Sequence, residues 1–330
     1  MTAAPPDPNP ANPDSEPRAG SGGGRVTRRS VLTGALIGAG AGLAGAGYLV
    51  ETEVVPGRVA LAKALGQAGR PGLVPTGASA AAGEIRRGSF DSAARGGIAT
   101  GWAIAYPPGT DPDRARTSAG RPLPVCVVLH GRGDQAETMV TLGYPAFLAN
   151  AVRAGLPPFA LAAVDGGQRY WHRRADGEDT GAMVLDEWLP RLVEAGLAAG
   201  PQHRIGLLGW SMGGYGSLLL ASRLGPDRVA AIAAESPALW MRPGDSSRGA
   251  FDDAADFRAN DVFTRRAVLS RIPIRIDCGI ADPFHSAATK FATGLKPRAT
   301  TDLGAGDHSW GYWRSKAPKA INFVGNSLSQ

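Results

Sequence analysis

Residues 207–221 read LLGWSMGGYGSLLLA, and few folds accommodate such a run. Arg204 to Trp210 is short, apolar and without alternation, the pattern of a strand buried on both faces of a parallel sheet. Gly213 and Gly214 are expected to break it, after which Tyr215 to Leu224 reads as a helix carrying Leu218, Leu219 and Leu220. Gly209-Trp210-Ser211-Met212-Gly213 then matches G-x-S-x-G between a strand and a helix. In that setting a serine sits on a strained turn with its Oγ pushed out at the top of a sheet. Gly209 and Gly213 remove Cβ atoms that would clash, and Gly214 lets helix and strand pack closely. The helix N-terminus behind Ser211 adds a partial positive charge and unpaired N–H groups. An incidental serine in a glycine-rich turn would require neither flank, so Ser211 is the candidate nucleophile.

The rest of the chain fits one large α/β domain. At 330 residues, 43% of them hydrophobic, a sizeable core is affordable and no repeat is visible. From Glu84 onward, strand-like and helix-like segments alternate. Ile85–Ser92 and Ile98–Tyr106 suit an antiparallel pair. Val125–His130, Phe159–Val164, Ile205–Trp210, Val229–Ala234 and Ile272–Cys278 read as buried strands, and Ala299–Leu303 as a weak last one. Helical stretches such as Met183–Ala198 fall between them. This is the rhythm of a mostly parallel, doubly wound sheet flanked by helices, whose active groups gather at the C-terminal ends of the strands. The expected catalytic domain is 84–330, with 238–270 as a helical insertion near the site.

The net charge is +6, from 35 basic and 29 acidic residues. No Lys/Arg cluster interleaves with aromatics, so nothing points to nucleic acid. Two cysteines, Cys126 and Cys278, offer no zinc quartet; both fall in apolar strand segments, where a lone cysteine is a small filler. No metal and no organic cofactor is implied.

The first fifty residues read differently. Residues 1–24 are rich in Pro, Ala and Gly and cannot bury enough apolar surface to order themselves. Residues 25–50 carry Thr27-Arg28-Arg29-Ser30-Val31-Leu32-Thr33, similar to a twin-arginine export signal, followed by an uncharged run from Val31 to Val50. That run, at ~1.5 Å per residue, is also just long enough to span a bilayer. Both outcomes stay open: cleavage at Ala44-Gly45-Ala46, giving a secreted enzyme, or retention of 31–50 as a membrane anchor. The twin-arginine export machinery is the expected partner, and 51–83 is a connector with a short helix around Val59 to Leu65.

A serine near pH 7 is a poor nucleophile without a general base, and the base needs an orienting acid. The order nucleophile, acid, histidine of strand–G-x-S-x-G–helix enzymes leaves two histidines. His308 lies in GAGDHSWGYW, a glycine-flanked loop after the last strand; His285 opens a helix and suits a loop or capping role. Asp282, in CGIADPF, directly follows a buried strand and is the favoured acid, though it could also be a helix cap. Glu235 is the rival. Asp277 lies inside its strand, and Asp307 is too close to His308 to be well aimed. Two N–H donors for a developing oxyanion are assigned to the backbone of Met212 and of Arg132, the latter in His130-Gly131-Arg132-Gly133-Asp134.

With these residues placed, the chain resembles the esterase-D and antigen-85 branch of the α/β hydrolases over about 84–330. The resemblance rests on LHGRGD, GWSMGGYGSLLLA, CGIADPF and above all GDHSWGYW, with support from VDGGQRYW (164–171) and VLDEWLPRL (184–192). It implies an α/β-hydrolase fold and ester chemistry through an acyl-serine on Ser211, with a small-molecule or lipid ester as substrate. The branch includes carboxylesterases, S-formylglutathione hydrolases, feruloyl esterases and mycolyltransferases that acylate trehalose, so transfer onto a cell-envelope glycan or glycolipid is the alternative. The mycolyltransferases carry Asp-Gly-Leu-Arg at the oxyanion loop, where the Asp and Arg help hold the sugar. Here those places read His130-Gly131-Arg132-Gly133, which favours plain hydrolysis. Tyr170, Trp171, Trp310 and Trp313 are candidate pocket walls, each equally open to core packing. A non-catalytic wall-binding protein on a hydrolase scaffold is a third reading, disfavoured because all three triad members are present.

Overall fold

The computed structural model describes residues 58–67 and 81–330. The tail at 1–24, the signal or anchor segment at 25–50 and most of the connector at 51–83 lie outside the described residues. Among those described, no helix is long and apolar enough to cross a membrane.

Eight strands form one sheet: β1 (Ile85–Ser92), β2 (Ile98–Ala105), β3 (Val125–Leu129), β4 (Ala160–Val164), β5 (Ile205–Trp210), β6 (Val229–Glu235), β7 (Ile274–Asp277) and β8 (Thr300–Asp302). Their spatial order is β1-β2-β4-β3-β5-β6-β7-β8. β2 runs antiparallel to both neighbours and every other pair is parallel. The β1–β2 hairpin closes on Gly96 and Gly97, both at positive φ, as a tight reversal requires. The sheet is thus the expected one, with strand ends within two residues of those read from the apolar runs.

The continuous apolar runs are explained by helices on both faces. The main helices are α1 (Arg58–Ala64), α2 (Tyr144–Arg153), α3 (Leu189–Glu194), α4 (Met212–Leu224), α5 (His285–Thr293) and α6 (Trp310–Leu328). Along β3, Val125, Val127 and Leu129 pack into the core shared with α3, α4 and α5, whereas Cys126 and Val128 pack with α2 and α6. Both cysteines are buried. Residues 238–270 contain the short helices Ala254–Ala259, Val262–Arg265 and Arg266–Leu269 joined by loops.

Two helices differ from the sequence reading. α4 starts at Met212 instead of Tyr215, so Gly213 and Gly214 lie in its first turn. A glycine in a helix costs about 1 kcal/mol, but here close approach decides: a Cβ on Gly213 would stand 1.8 Å from the Leu129 carbonyl oxygen. The Met183–Ala198 segment begins with a π-helical turn at Met183–Trp188 and ends as α3 at Glu194. Gly196, at φ 80°, terminates it, and Gly196 and Leu197 N–H groups close back on Val193 and Leu192.

Candidate functional site

Ser211 occupies the turn between β5 and α4 with φ 54° and ψ −118°, a conformation that costs a non-glycine residue about 1–3 kcal/mol. The surrounding backbone holds it there. Ser211 N–H donates to Glu235 O at 2.9 Å, while Ala238 N–H donates to Ser211 O at 2.9 Å. The end of β6 therefore grips both sides of the serine. On the other flank, a Cβ on Gly209 would meet the Gly213 carbonyl oxygen at 2.4 Å, so elbow and sheet touch backbone to backbone.

His308 comes from the loop between β8 and α6. Its Nε2 lies 2.9 Å from Ser211 Oγ and its Nδ1 2.8 Å from Asp282 Oδ2. Asp282 is fully buried, and its second oxygen accepts the Phe284 N–H at 2.8 Å. These bonds assign the imidazole protonation: Nδ1 carries the proton and donates to the carboxylate, leaving the Nε2 lone pair for the serine hydroxyl. Trp313 and Phe284 stand edge-on to the His308 ring, at centroid distances of 5.0 and 5.2 Å, and so limit its rotation.

The competing candidates are engaged elsewhere. His285 Nδ1 faces the carbonyls of Cys278 and Gly279. Asp277 pairs with Arg275 at 2.6 Å, and Asp307 accepts the Ser309 hydroxyl. Glu235 is fully buried and its Oε2 accepts the Tyr144 hydroxyl at 2.6 Å. Glu235, Asp277 and Asp302 sit opposite one another in the register of β6, β7 and β8. Burial pushes the Glu235 carboxyl well above the carboxylate range, and it pushes Asp277 up to about 6. A folded-state pKa above the unfolded one means that the native chain holds protons the unfolded chain has released. Stability from these groups is therefore greatest below the ordinary carboxylate pKa and falls as pH rises through the folded values. Glu235→Gln keeps an acceptor for Tyr144 without a group to ionise. In thermal unfolding it is expected to match wild type at pH 4 and exceed it at pH 8, by about 2–4 °C for each kcal/mol relieved. A variant less stable than wild type at both pH values would contradict this account.

Met212 opens α4, so its N–H has no acceptor within the helix. Arg132 lies in the loop after β3, which His130 braces. His130 Nδ1 donates to Gly131 O at 2.7 Å, and its Nε2 accepts the Gly166 N–H at 2.9 Å. Burial holds the His130 imidazole below its usual range, so it is neutral at pH 7, as the two bonds demand. With the Gly131 carbonyl tied down, the trans peptide sends the Arg132 N–H the opposite way. The role of His130 carried no signal of its own in the sequence, because its partner Gly166 belongs to a different strand end.

The four aromatic candidates separate. Trp171 is fully buried beneath the site: a Cβ on Gly216 or Gly166 would strike its ring at 2.2 or 2.4 Å. It is a core residue rather than a pocket wall, and packing against two glycines is the reason. Trp313 is buried behind His308. Trp310 is 48% exposed on the first turn of α6. Tyr170 is buried among Tyr215, Trp240 and Phe251, with ring centroids 5.7–6.4 Å away. Trp240 stands against Phe284 at 5.3 Å, which extends this ring cluster to His308. Trp240, Phe251 and Phe284 were not among the residues singled out from sequence; no spacing links loops so far apart in the chain. The Arg132 guanidinium bridges these loops, donating to Gln168 Oε1 at 3.2 Å and to Arg248 O at 3.1 Å.

Grooves of about 330 and 730 Å³ open at the N-terminal ends of the strands, lined by residues such as Pro124, Arg204, Ala230 and Ile274. The recess among Tyr215, Trp240 and Phe251 measures about 10 Å³, because the chain's own rings fill it. Among the described residues no cluster of His, Cys, Asp or Glu could hold a metal ion.

Comparison with known proteins gives the site its context. No curated protein sequence matches the chain. Among solved structures, it is similar to the ferulic acid esterase of Anaeromyces mucronatus solved with ferulic acid (TM-score 0.60, 19% identity, covering 76% of this chain and 94% of that one). It is also similar to an S-formylglutathione hydrolase of Staphylococcus aureus (TM-score 0.59, 16% identity, 74% and 99% covered). A third is MPT51 of Mycobacterium tuberculosis (TM-score 0.54, 16% identity, 75% and 100% covered). At these identities the likeness speaks for the fold alone. The Esterase family model matches residues 110–323, a range that contains Ser211, Asp282 and His308, and the chain belongs to that family.

Proposed function

We propose that the protein is an exported serine carboxylesterase that hydrolyses carboxylic esters through an acyl-enzyme on Ser211. The observation that carries the reading is the unbroken line of hydrogen bonds from Ser211 Oγ through His308 to the buried Asp282. His308 Nε2 takes the serine proton as Oγ attacks the ester carbonyl, and Asp282 stabilises the imidazolium that forms. The Met212 and Arg132 N–H groups receive the negative charge that develops on the carbonyl oxygen. The imidazolium then protonates the departing alkoxide, leaving the acyl-serine. Water, deprotonated by the same Nε2, attacks the acyl group and returns Ser211 with release of the acid. Export rests on the twin-arginine pattern at Thr27–Thr33 and the uncharged run to Val50.

Intact mass after incubation with a fluorophosphonate tests the chemistry. One adduct is expected on wild type and none on Ser211→Ala, with p-nitrophenyl ester hydrolysis lost in parallel. An adduct on the variant, or equal hydrolysis by both proteins, would overturn the assignment. Including glucose or trehalose in the assay separates hydrolysis from acyl transfer, since only transfer yields an acylated sugar.

A further inference from the structure

Helix α1 precedes the stretch that strand rhythm marks as the catalytic domain, yet it belongs to the same compact unit. Its exit is a Schellman turn. Gly66 N–H donates to Lys63 O at 3.0 Å and Gln67 N–H to Ala62 O at 2.8 Å, with Gly66 at φ 71°. The turn satisfies two carbonyls of the last helical turn and leaves the Gln67 carbonyl to reach onward, where it accepts the Gly306 N–H at 3.0 Å. Ala62 is fully buried, so one side of the helix is covered.

Gly306 is two residues from His308. Its own carbonyl accepts the Ala281 N–H at 2.9 Å, and Gly304 O accepts the Ile280 N–H at 2.8 Å. The histidine loop is thereby zipped to the loop that carries Asp282. Contact there is close: a Cβ on Gly306 would meet the Tyr312 ring at 2.1 Å, and one on Gly279 would meet the Gly306 carbonyl carbon at 2.1 Å. Gly306 is thus held through its carbonyl by the acid's loop and through its N–H by Gln67 at the exit of α1. The lost freedom matters because about 1 Å of misplacement in a catalytic group can cost a hundredfold in rate.

We infer that residues 58–67 are a positioning element of the active site, clamping the His308 loop against the Asp282 loop. The inference rests on the proposed roles of Ser211, His308 and Asp282. It places the functional start of the enzyme at about residue 58, so removal of the chain before α1 leaves the clamp intact and removal through Gln67 takes it away.

The test uses the full chain. Gly66→Val puts a β-branched residue where φ is 71° and no neighbour lies within 4 Å, so it disturbs the turn without a clash. Gly66→Asn can adopt the left-handed conformation and serves as the conservative rescue. Gly109→Val, at φ 78° with equally open surroundings, controls for the same strain in the connection between β2 and β3. Gly66→Val is expected to lower both kcat for a neutral ester and the fluorophosphonate labelling rate by about 10–100-fold, with KM little changed. Gly66→Asn and Gly109→Val should stay near wild type. A second readout does not need activity: the downfield proton resonance of His308 Nδ1 should shift or broaden in Gly66→Val and persist in Gly109→Val. If wild type neither hydrolyses nor labels, the esterase proposal fails and the clamp is judged on that resonance. If Gly66→Val does not fold, Ala62→Asp provides the same comparison by unseating α1. Wild-type rates and an unmoved resonance in either folded variant would overturn the clamp.

Discussion

Exchanging Asp282 for asparagine is expected to reduce kcat for a simple ester by about 10⁴-fold while leaving the protein folded. The carboxylate is fully buried, with one oxygen on His308 Nδ1 at 2.8 Å and the other on the Phe284 N–H at 2.8 Å. Asparagine fits the same space and can still accept the Phe284 N–H with its carbonyl oxygen. Its amide nitrogen, however, donates towards Nδ1 instead of accepting. The imidazole then adopts the other tautomer, with its proton on Nε2 facing Ser211, and has no lone pair for the serine proton. Thermal unfolding near wild type together with the loss in kcat checks the expectation. A variant retaining more than a tenth of wild-type kcat would mean that another acid orients His308, and no other carboxylate among the described residues has been placed on its ring.

The second large effect is structural. Gly213→Ala would set a Cβ 1.8 Å from the Leu129 carbonyl oxygen and 2.4 Å from its carbonyl carbon. Both are backbone atoms in the central strand β3, so neither can swing aside. The expected cost exceeds about 4 kcal/mol, in the range that marks a specific structural failure, and the protein should either not fold or fold with the elbow displaced and no fluorophosphonate labelling. Gly214→Ala is the comparison one residue away. Its Cβ would approach Pro237 Cα at 3.0 Å and the Glu235 and Gly209 carbonyl oxygens at 3.2 Å, which asks the backbone for a few tenths of an ångström rather than more than one, so it should be far less destabilised than Gly213→Ala and still label. Equal stability of the two variants would remove close packing as the reason for the glycines.

Such contrasts show which features were legible in the residues. Strands β3 to β6 are buried on both faces and are apolar up to the Glu235 that ends β6, so they stand out from their surroundings. β7, IRID, is equally buried but carries the Arg275–Asp277 pair, and the mostly parallel sheet follows from the alternation of such segments with helical ones. The Ser211 elbow was equally visible, because its requirements are local: an apolar strand, glycines at fixed offsets and a helix immediately after. His308 and Asp282 could be narrowed to a few positions by chain order and by the strands they follow. The start of α4 was misplaced because glycine's poor helix propensity is a local property, whereas the reason for Gly213 is a strand 84 residues earlier in the chain.

Only the tertiary structure could choose among the remaining candidates. Glu235 ends β6 and Asp282 lies in the loop after β7; the sequence favours Asp282 without excluding Glu235, and the fold turns one carboxyl to His308 and the other to Tyr144. The tautomer of His130, the burial of Trp171 beneath two glycines, and the ring cluster of Trp240, Phe251 and Phe284 all depend on partners from separate loops. The docking of residues 58–67 on the histidine loop depends on one backbone hydrogen bond, which has no side-chain signature at all. Local chemistry, written in adjacent residues, determined the fold class and the serine elbow that carries the proposed nucleophile. What only folding decided was the direction of each side chain and carbonyl once distant segments met, because those directions are set by close packing and by hydrogen bonds between parts of the chain that carry no information about one another until they touch.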